Sequence, residues 1–584
     1  MMRLAFIDWS LIVGYFILAL GIGLYYSRRA SKCIDQYFIS GRSLPWWLAG
    51  TSMVATTFAA DTPLAVTGMV AKNGIAGNWL WWNFLFSAML TTFLFARLWR
   101  RAEVLTDVEF TELRYSGKPA AALRGFRALY LAIPINCIIM GWVTLAMAKI
   151  ISLTLGWSKW EAIAICLGVA LIYSVLSGFW GVVMTDFIQF IMAMSGSIAL
   201  AIISVHRAGG IIGLKEKLAT TYGVSSHSIL SFFPGISSEW MPITVFLVYI
   251  GVQWWASWYP GAEPGGGGYI AQRMFSTKDE RNSLLSTLWF NIAHYALRPW
   301  PWILVALASM VFFPHLADPE IGYPKMMLVY LPIGLKGLMI AAFLAAFMST
   351  IDTQLNWGAS YLVNDFYKRF IKKGASTSHY VTISRISVIV LMVLGGIITH
   401  FMSSVEGAWK FLLALGAGTG SVYILRWYWW RINAWSEISA MSASFVTAIS
   451  LQAFTSMGFA PRLLLTTIIS TAVWLTVTFV TSPEREEHLI KFYKRVRPGG
   501  RLWKHIAQKI EGIKSEQNIR ADLMCWIAGC ICGYTSLFGI GKIILQLYLH
   551  GFIYLAVAIV SGYYIYRNLS MAMSIGPCGR VGSE

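Results

Sequence analysis

Residues 55–63 read ATTFAADTP and lie in the middle of an otherwise apolar stretch that is long enough to cross a membrane. They place three threonines, the ionisable Asp61 and the helix-breaking Pro63 at membrane depth. Lipid offers no hydrogen-bond partners, so a helix is interrupted at this depth only where protein or a water-filled cavity supplies them. The segment therefore predicts a broken helix beside a polar site inside a membrane protein.

A second interruption lies in the apolar stretch 240–272, where residues 260–268 read PGAEPGGGG. The two interrupted stretches are five predicted spans apart. Broken helices at matching positions of two halves indicate a transporter built from inverted repeats. The alternative is that residues 240–259 cross alone and the glycines form a cytoplasmic loop.

The composition excludes a water-soluble fold. Of the 584 residues, 57% are hydrophobic and 12% are charged, whereas a soluble domain has about a quarter of its residues charged. Apolar stretches of about 18 residues or more, enough to span roughly 30 Å of hydrocarbon, recur along the whole chain. The seven cysteines lie mostly inside these stretches, and Cys525, Cys530 and Cys532 lack the paired spacing of a zinc or redox site.

We predict an all-α polytopic membrane protein with about fifteen spans. The first apolar stretch is followed by Ser-Arg-Arg and not by a small-residue cleavage site, so it is interpreted as a retained span. The predicted spans are 8–26, 45–72, 78–99, 126–155, 159–177, 180–205, 240–272, 283–313, 333–365, 380–402, 408–428, 435–457, 461–481, 522–545 and 549–566.

The net charge of +19 comes from Lys and Arg at the ends of spans, which is a membrane pattern and not a nucleic-acid-binding face. With the N-terminus outside, most basic residues fall in cytoplasmic loops, as the positive-inside rule requires. Arg124 and Arg273 are assigned to these loops. We therefore expect a multi-pass protein of the cell membrane with a cytoplasmic C-terminus and no nucleic-acid partner.

The longest polar segment, residues 483–520, carries ten Lys or Arg residues. It is predicted to be a cytoplasmic loop whose amphipathic helices lie against anionic lipid. A regulatory or sensing role for this loop is the alternative.

The ionisable residues inside predicted spans include Asp61, Asp186, Arg298 and Asp352. Because each costs about 2.5 to 3.5 kcal/mol on insertion scales, such residues are functional candidates by default. Arg298 lies near the centre of its span. It is predicted either to pair with an acid such as Asp61 or Glu263, or to bind a solute.

Several segments, in order along the chain, resemble the sodium/solute symporter family, which includes bacterial sodium/galactose, sodium/proline and sodium/sialic acid carriers. Residues 35–47, DQYFISGRSLPWW, resemble the entry into its first core helix. Residues 106–115 resemble its intracellular loop, with Val108 in place of a proline, and residues 337–368 resemble its eighth core helix. The resemblance covers about residues 30–430, with a further match at 492–495.

The resemblance implies a 5+5 (LeuT-like) core of two inverted five-helix repeats, with one preceding and about four following helices. The domain boundaries expected from it are 1–44 for the first extra helix and its link, 45–205 for the first repeat, 206–239 for an extracellular loop, 240–428 for the second repeat, and 429–584 for the last helices with the basic loop 483–520.

The resemblance also implies a main sodium site. Its ligands would be the carbonyl oxygens of Ala55, Phe58 and Ala346 and the hydroxyls of Ser349 and Thr350. Sodium prefers oxygen ligands, and an unwound helix leaves carbonyls that a regular helix would use. Without the family context, adjacent Ser and Thr are ordinary packing in membrane helices.

A second sodium site is expected at Asp186, Asp352 and Thr353, beside Ser349, because some relatives bind an additional sodium at the matching positions. Asp352 stands where those relatives have a hydroxyl. Two carboxylates in a medium of low dielectric constant do not both stay ionised unless a cation lies between them. The alternative is that Asp186 only anchors the start of its helix.

The solute site matches the family more loosely. The sugar carriers have Gln at the position of Thr62, and this departure argues against galactose. The residues expected to contact solute are Thr62, Gln253, Trp254, Trp255, Asn291 and Arg298.

The resemblance implies a secondary active transporter that couples sodium entry to uptake of a small polar organic solute by alternating access. The solute class is left open between sugar, amino acid and carboxylate. The chain is expected to need Na+ and the lipid bilayer, to work as a monomer and not to be an enzyme. One alternative is a solute sensor on the same fold that signals through the 483–520 loop. The other, a membrane enzyme, requires clustered acids or histidines, whereas the histidines are scattered.

Overall fold

The computed structural model describes residues 4–30, 39–176, 179–223, 225–236, 238–256, 263–510, 512, 515 and 517–574. Within these residues the chain is a bundle of long helices, and the described part contains no named β-strand. The prediction of an all-α membrane protein is confirmed.

The helices follow the predicted spans closely. In chain order they are α1 (Phe6–Ala30), α2 (Trp46–Thr57), α3 (Asp61–Asn73), α4 (Ile75–Ala102), α5 (Gly117–Leu155), α6 (Lys159–Leu176), α7 (Phe179–Arg207), α8 (Ile243–Gly251), α9 (Gly268–Ser276), α10 (Glu280–Phe312), α11 (Leu335–Ile371), α12 (Thr377–Phe401), α13 (Val405–Gly416), α14 (Gly420–Tyr428), α15 (Ala434–Phe454), α16 (Phe459–Val480), α17 (Ile519–Ile544) and α18 (Tyr548–Ser574).

Nine helices in the described part are long and apolar enough to cross a membrane, and two bent helix pairs raise this number to eleven. The four remaining predicted spans coincide with α1, α6, α8–α9 and α15, which are also helical. The chain thus crosses the membrane many times.

The break predicted at residues 55–63 is present. Helix α2 ends at Thr57 and α3 begins at Asp61, and the two halves are bent by 57°. Phe58 leaves the helical conformation with φ −85° and ψ 65°. The bend places the end of α2 and the start of α3 against α10 and α11 inside the bundle.

The second predicted break falls partly outside the described residues, since 257–262 are not among them. The described part shows α8 ending at Gly251 and α9 beginning only at Gly268. Gly265 and Gly266 have φ of 90° and 82°, values that favour glycine. The interruption therefore extends through the glycine run.

A third break, between α13 and α14, bends the chain by 50°. The sequence prediction had one continuous span there. The backbone of Gly420 approaches the Trp255 carbonyl so closely that an added Cβ would lie 1.5 Å from that oxygen. A tertiary contact, which the local sequence does not reveal, therefore accompanies this break.

The polar segment 483–520 does not lie as predicted. Its helix Glu486–Val496 turns a buried face, formed by Leu489, Phe492, Tyr493 and Val496, toward the protein. The Arg114 guanidinium lies 5.2 Å from the ring of Phe492 and 5.1 Å from that of Trp503. The apolar face of this helix is covered by the bundle and not by lipid.

Candidate functional site

The end of α2 meets α11 through a cluster of oxygen atoms. The Thr350 hydroxyl oxygen lies 2.9 Å from the Thr56 carbonyl oxygen and 3.0 Å from that of Ala346. A hydroxyl has one proton, so it donates to only one of these carbonyls at a time. The cluster is buried in protein and offers oxygen lone pairs of the kind that a hard cation binds.

The structure brings together some, but not all, of the ligands predicted for the main sodium site. Ala346 and Thr350 share the cluster, and Ala55 and Phe58 lie in the adjoining break. The Ala55 carbonyl accepts a hydrogen bond from the Phe58 N–H at 3.0 Å. The Ser349 hydroxyl points elsewhere and donates to the Asp186 carboxylate.

Asp186 on α7 is the centre of a second polar cluster. Its Oδ2 accepts a hydrogen bond from the Ser52 hydroxyl at 2.5 Å. The same oxygen lies 3.6 Å from Nη2 of Arg273, and both side chains are completely buried. Arg273 Nη2 also donates to the Thr353 hydroxyl at 3.1 Å. Two of the three residues predicted to bind a second sodium therefore surround a guanidinium.

Arg273 was wrongly assigned to a cytoplasmic loop. It lies on α9 and is fully buried. Its Nε donates to Ser52 at 3.2 Å, so the side chain joins α9 to α2 as well as to α7 and α11. The burial is tolerated because the guanidinium meets a carboxylate and several hydroxyls.

Asp352, the third predicted ligand, is also buried at 2% exposure. It follows Ser349 by three residues on α11, so both lie on nearly one face of that helix.

A cavity of about 70 Å³ lies beside the break between α2 and α3. Asp61 and Thr62 contribute to it from the start of α3, and His294 and Arg298 from α10. Its remaining lining is mostly aromatic: Trp81, Phe84, Trp142, Tyr269, Phe290, Tyr295 and Trp409. The predicted solute residues Thr62 and Arg298 are thus brought together.

Arg298 stabilises the break in the first repeat. Its Nη1 donates to the Val54 carbonyl near the end of α2 at 3.2 Å, and the guanidinium lies 5.0 Å from the ring of Trp302. A cation at a helix C-terminus is favoured by the helix dipole. Glu263, one of its two predicted acid partners, lies instead 4.0 Å from Arg127.

The other predicted solute residues do not line this cavity. Gln253 donates to the Leu80 carbonyl at 2.8 Å, and Asn291 donates to the Thr92 hydroxyl at 2.9 Å. The Trp254 ring packs 5.8 Å from that of Trp526 on α17. In this structure these side chains hold helices together around the cavity.

A network of ion pairs between arginines and carboxylates joins helices at one end of the bundle. Arg124 donates to Asp365 at 2.8 Å and to Glu112 at 2.7 Å, and Arg369 donates to Glu112 at 2.9 Å. Arg124 was predicted to lie in a loop, but it is 8% exposed on α5. The network ties α5 to the end of α11 through the short helix Phe110–Arg114.

The opposite end carries a second network. Lys149 on α5 bonds Glu320 at 2.6 Å and Asp318 at 2.8 Å. Lys72 at the end of α3 bonds Glu406 on α13 at 2.7 Å. These contacts join α5 to the segment between α10 and α11, and α3 to α13, at the other end of the bundle.

We expect Glu112→Gln to lower the thermal midpoint of the purified protein at pH 7. Although partial burial acts to raise it, hydrogen bonds from Arg369 and Arg124 hold the pKa of Glu112 below its ordinary value of 4.5. A carboxyl with a lowered pKa contributes stability above its unfolded pKa, and this contribution is lost as the pH falls through the folded value.

The difference between wild type and Glu112→Gln, about 1 kcal/mol for a charge-assisted hydrogen bond, should therefore narrow below pH 4.5. Midpoints measured from pH 7 down to pH 3.5 provide the check. A difference in midpoint that stays constant across this pH range would show that the ionised Glu112 carboxylate does not stabilise the network.

Helices broken at membrane depth, with oxygen clusters at one break and a cavity beside it, define a membrane transporter. The family model described as the sodium:solute symporter family matches residues 37–446. The chain belongs to this family.

The chain is similar to the sodium/glucose cotransporter of Vibrio parahaemolyticus, with 24% identity over 508 residues that cover 82% of this chain and 91% of that one. It is similar to the sodium/mannose cotransporter of Bos taurus, with 25% identity over 476 residues, 74% of this chain and 76% of that one. A solved structure of a Na+-coupled sialic acid symporter, in a substrate-bound outward-open state, covers 82% of this chain and 99% of its own, with 20% identity and a TM-score of 0.68.

These findings confirm the 5+5 inverted-repeat fold, the transporter class and Na+ as the coupling ion. The protein is a sodium-coupled symporter of a small solute and not an enzyme. The sensor alternative gains no support from these relatives.

Sequence reasoning missed several residues of the site. Thr56 adjoins the predicted ligand Ala55, and its place in the oxygen cluster follows only from the path of the broken helix. His294 lies four residues before Arg298, so both share one face of α10. That spacing was a usable signal for His294. Arg273 had no comparable signal, because it is near the end of a short helix.

Proposed function

We propose that the coupling sodium binds at the joint of α2 and α11. Carbonyl oxygens of Ala55, Phe58 and Ala346 and hydroxyls of Ser349 and Thr350 would be its ligands. The observation that carries this proposal is the oxygen cluster of Thr350, Thr56 and Ala346 at the broken end of α2. Ser349 would turn from Asp186 toward the ion.

Sodium at this joint would hold α2, a member of the first repeat, to α11, a member of the second. It would thereby favour the arrangement in which the adjoining cavity accepts solute, which is the coupling that alternating access requires. One sodium moving down about 100 mV gains about 2.3 kcal/mol, enough to drive accumulation.

The experiment that tests this proposal needs no known solute. The thermal midpoint of the purified protein is measured in sodium chloride and in choline chloride of equal concentration. We expect a saturable rise in the sodium series, since a ligand that binds the folded state stabilises it. Equal midpoints in both series would overturn the sodium site.

We further propose that the solute binds in the cavity lined by Thr62 and Arg298. The side chains that hold the helices around this cavity, and so determine its shape, would be Gln253, Trp254, Trp255 and Asn291. The relatives named above transport glucose or mannose with sodium by their names. A sugar, an amino acid and a carboxylate remain the candidate solutes.

We also propose the domain boundaries 45–205 and 240–428 for the two repeats. The protein would lie in the cell membrane with its N-terminus outside and its C-terminus in the cytoplasm. It would function as a monomer and without nucleic acid. The Arg124–Glu112–Asp365 network then lies on the cytoplasmic side. The support is the distribution of basic residues at span ends.

A second sodium at Asp186, Asp352 and Thr353 stays a prediction. It would share Asp186 and Thr353 with the Arg273 guanidinium. The charge moved per solute in proteoliposomes distinguishes one sodium from two.

A further inference from the structure

The cavity beside the first break has an unusual set of polar groups for a sugar site. Among the described residues that line it there is no Asn or Gln. Apart from two tyrosines, its ionisable members are Asp61, His294 and Arg298. Sugar hydroxyls both donate and accept, and amide side chains match them because they carry both kinds of group.

Asp61 presents an acceptor to this cavity. The residue is 3% exposed and lies in the first turn of α3, directly after the break. Its Oδ1 has no hydrogen-bond partner among the residues that the structure describes. A buried carboxylate oxygen without a donor is costly, so a donor or a positive charge from a ligand would stabilise it.

His294 presents a donor. Its Nε2 lies 3.5 Å from Nη2 of Arg298. A guanidinium N–H only donates, so Nε2 accepts and the neutral ring carries its proton on Nδ1. That Nδ1 is buried and has no partner within the described part of the chain. An acceptor group of a ligand would satisfy this Nδ1–H donor.

The walls favour a positively charged nitrogen. Three tryptophans, Trp81, Trp142 and Trp409, line the cavity together with Asp61. The negative face of an indole ring attracts cations, and aromatic walls beside a carboxylate are a recurrent way to bind ammonium groups. A solute that was only an anion would meet the Asp61 carboxylate in the same small space.

The protein charges in the cavity balance. When Asp61 is ionised, its negative charge balances the positive charge of Arg298, and His294 is neutral in the tautomer derived above. Arg298 also donates to the Val54 carbonyl at the end of α2. A solute with no net charge but with separated charges fits this arrangement, whereas a net ion would leave one charge unmatched in a buried site.

We propose that the solute is a zwitterion whose positively charged nitrogen binds Asp61 between the tryptophans and whose anionic group faces His294 Nδ1–H and Arg298. The inference rests on the proposed function and deepens it by selecting one of the three candidate solute classes. It assigns Asp61 and His294 to solute binding in addition to Thr62 and Arg298.

The experiment is a thermal-midpoint screen of the full-length protein in saturating sodium chloride. The probes are L-proline and glycine betaine as zwitterions, choline as a cation, D-glucose and D-mannose as neutral polyols, and lactate as an anion. We expect at least one zwitterion to raise the midpoint in sodium and not in potassium chloride. Choline, the polyols and lactate should leave it unchanged.

Asp61→Asn should raise the zwitterion concentration for half-maximal stabilisation by about tenfold or more, because the bound nitrogen loses the negative charge of its acceptor. Glu216→Gln is the matched control, because Glu216 is an exposed acid outside the cavity. Its half-maximal concentration should equal that of wild type. The rise caused by sodium alone should persist in Asp61→Asn, which shows that the variant is folded.

Three results would overturn the inference: stabilisation by choline, a polyol or lactate, the lack of any effect of both zwitterions, or equal zwitterion affinity in wild type and a folded Asp61→Asn. In each case a rise caused by sodium alone would leave the proposed function standing. The lack of that rise, in contrast, contradicts the sodium site itself.

Discussion

A Thr350→Ala variant is expected to need about tenfold more sodium than wild type for half-maximal stabilisation, since losing one oxygen ligand costs about 1 to 2 kcal/mol. The Thr350 hydroxyl lies within 3.0 Å of the carbonyls of Thr56 and Ala346, so it is the side-chain member of the oxygen cluster. The measurement is a sodium titration of the thermal midpoint at constant ionic strength.

Two variants on the same helix control this titration. Thr350→Ser keeps the hydroxyl and should retain an affinity near that of wild type. Ser360→Ala removes a buried hydroxyl that only bonds the Trp357 carbonyl, and it should leave the sodium titration unchanged. If Thr350→Ala is folded and titrates like wild type, sodium binds elsewhere.

Ser349→Ala is expected to weaken sodium binding to a similar degree, but it reports on two interactions. The Ser349 hydroxyl donates to Asp186 in this structure, so its loss also removes a partner of that buried carboxylate. A lower midpoint without sodium, which Thr350→Ala should not show to the same extent, would separate the two effects.

The path of the chain through the membrane could be predicted because local sequence features, namely apolar stretches and helix-breaking residues, determine it. The apolar stretches fix where helices cross, and Asp61 with Pro63 marks where the first one breaks. The glycines at 265–268 similarly indicate the second break, and three of them have positive φ.

Features that depend on distant contacts could not be predicted in this way. The bend before Gly420 accompanies a close approach of the Trp255 carbonyl, from 165 residues earlier in the chain. The apolar face of Glu486–Val496 was assigned to lipid because an amphipathic pattern does not say which apolar surface covers it. Only the positions of Phe110, Arg114 and Trp503 decide that.

The candidate site shows the same limit. Residues carried over from the family by position, such as Ala346 and Thr350, lie at the break because the one long helix that carries both, α11, packs against the end of α2. Gln253 and Asn291 lie outside the cavity. Gln253 follows the end of α8, and Asn291 precedes a π-helical turn, Ile292–Leu297, within α10. At such irregular places a shift of one residue redirects a side chain.

Arg273 provides the largest effect expected outside the sodium ligands. Arg273→Met should destabilise the protein by about 3 kcal/mol or more, because removing one partner leaves the buried Asp186 carboxylate without its counter-charge. Arg273 also donates to Ser52, Thr353 and Thr56, so its loss disconnects α9 from α2 and α11. Thermal midpoints in sodium-free buffer measure the loss.

The double variant Arg273→Met/Asp186→Asn tests the cause. If the loss of stability comes from the uncompensated Asp186 carboxylate, neutralising Asp186 should restore most of the thermal midpoint. An unchanged midpoint in the single variant Arg273→Met would contradict the pairing of Arg273 with Asp186. Sodium should also recover part of the stability lost in Arg273→Met but not in the double variant. In Arg273→Met the Asp186 carboxylate and the hydroxyls of Ser52 and Thr353 form a set of oxygen ligands for a hard cation. Recovery by sodium would show that this cluster binds a monovalent cation once the guanidinium is gone, and that in the wild-type protein Arg273 competes for the predicted second sodium site.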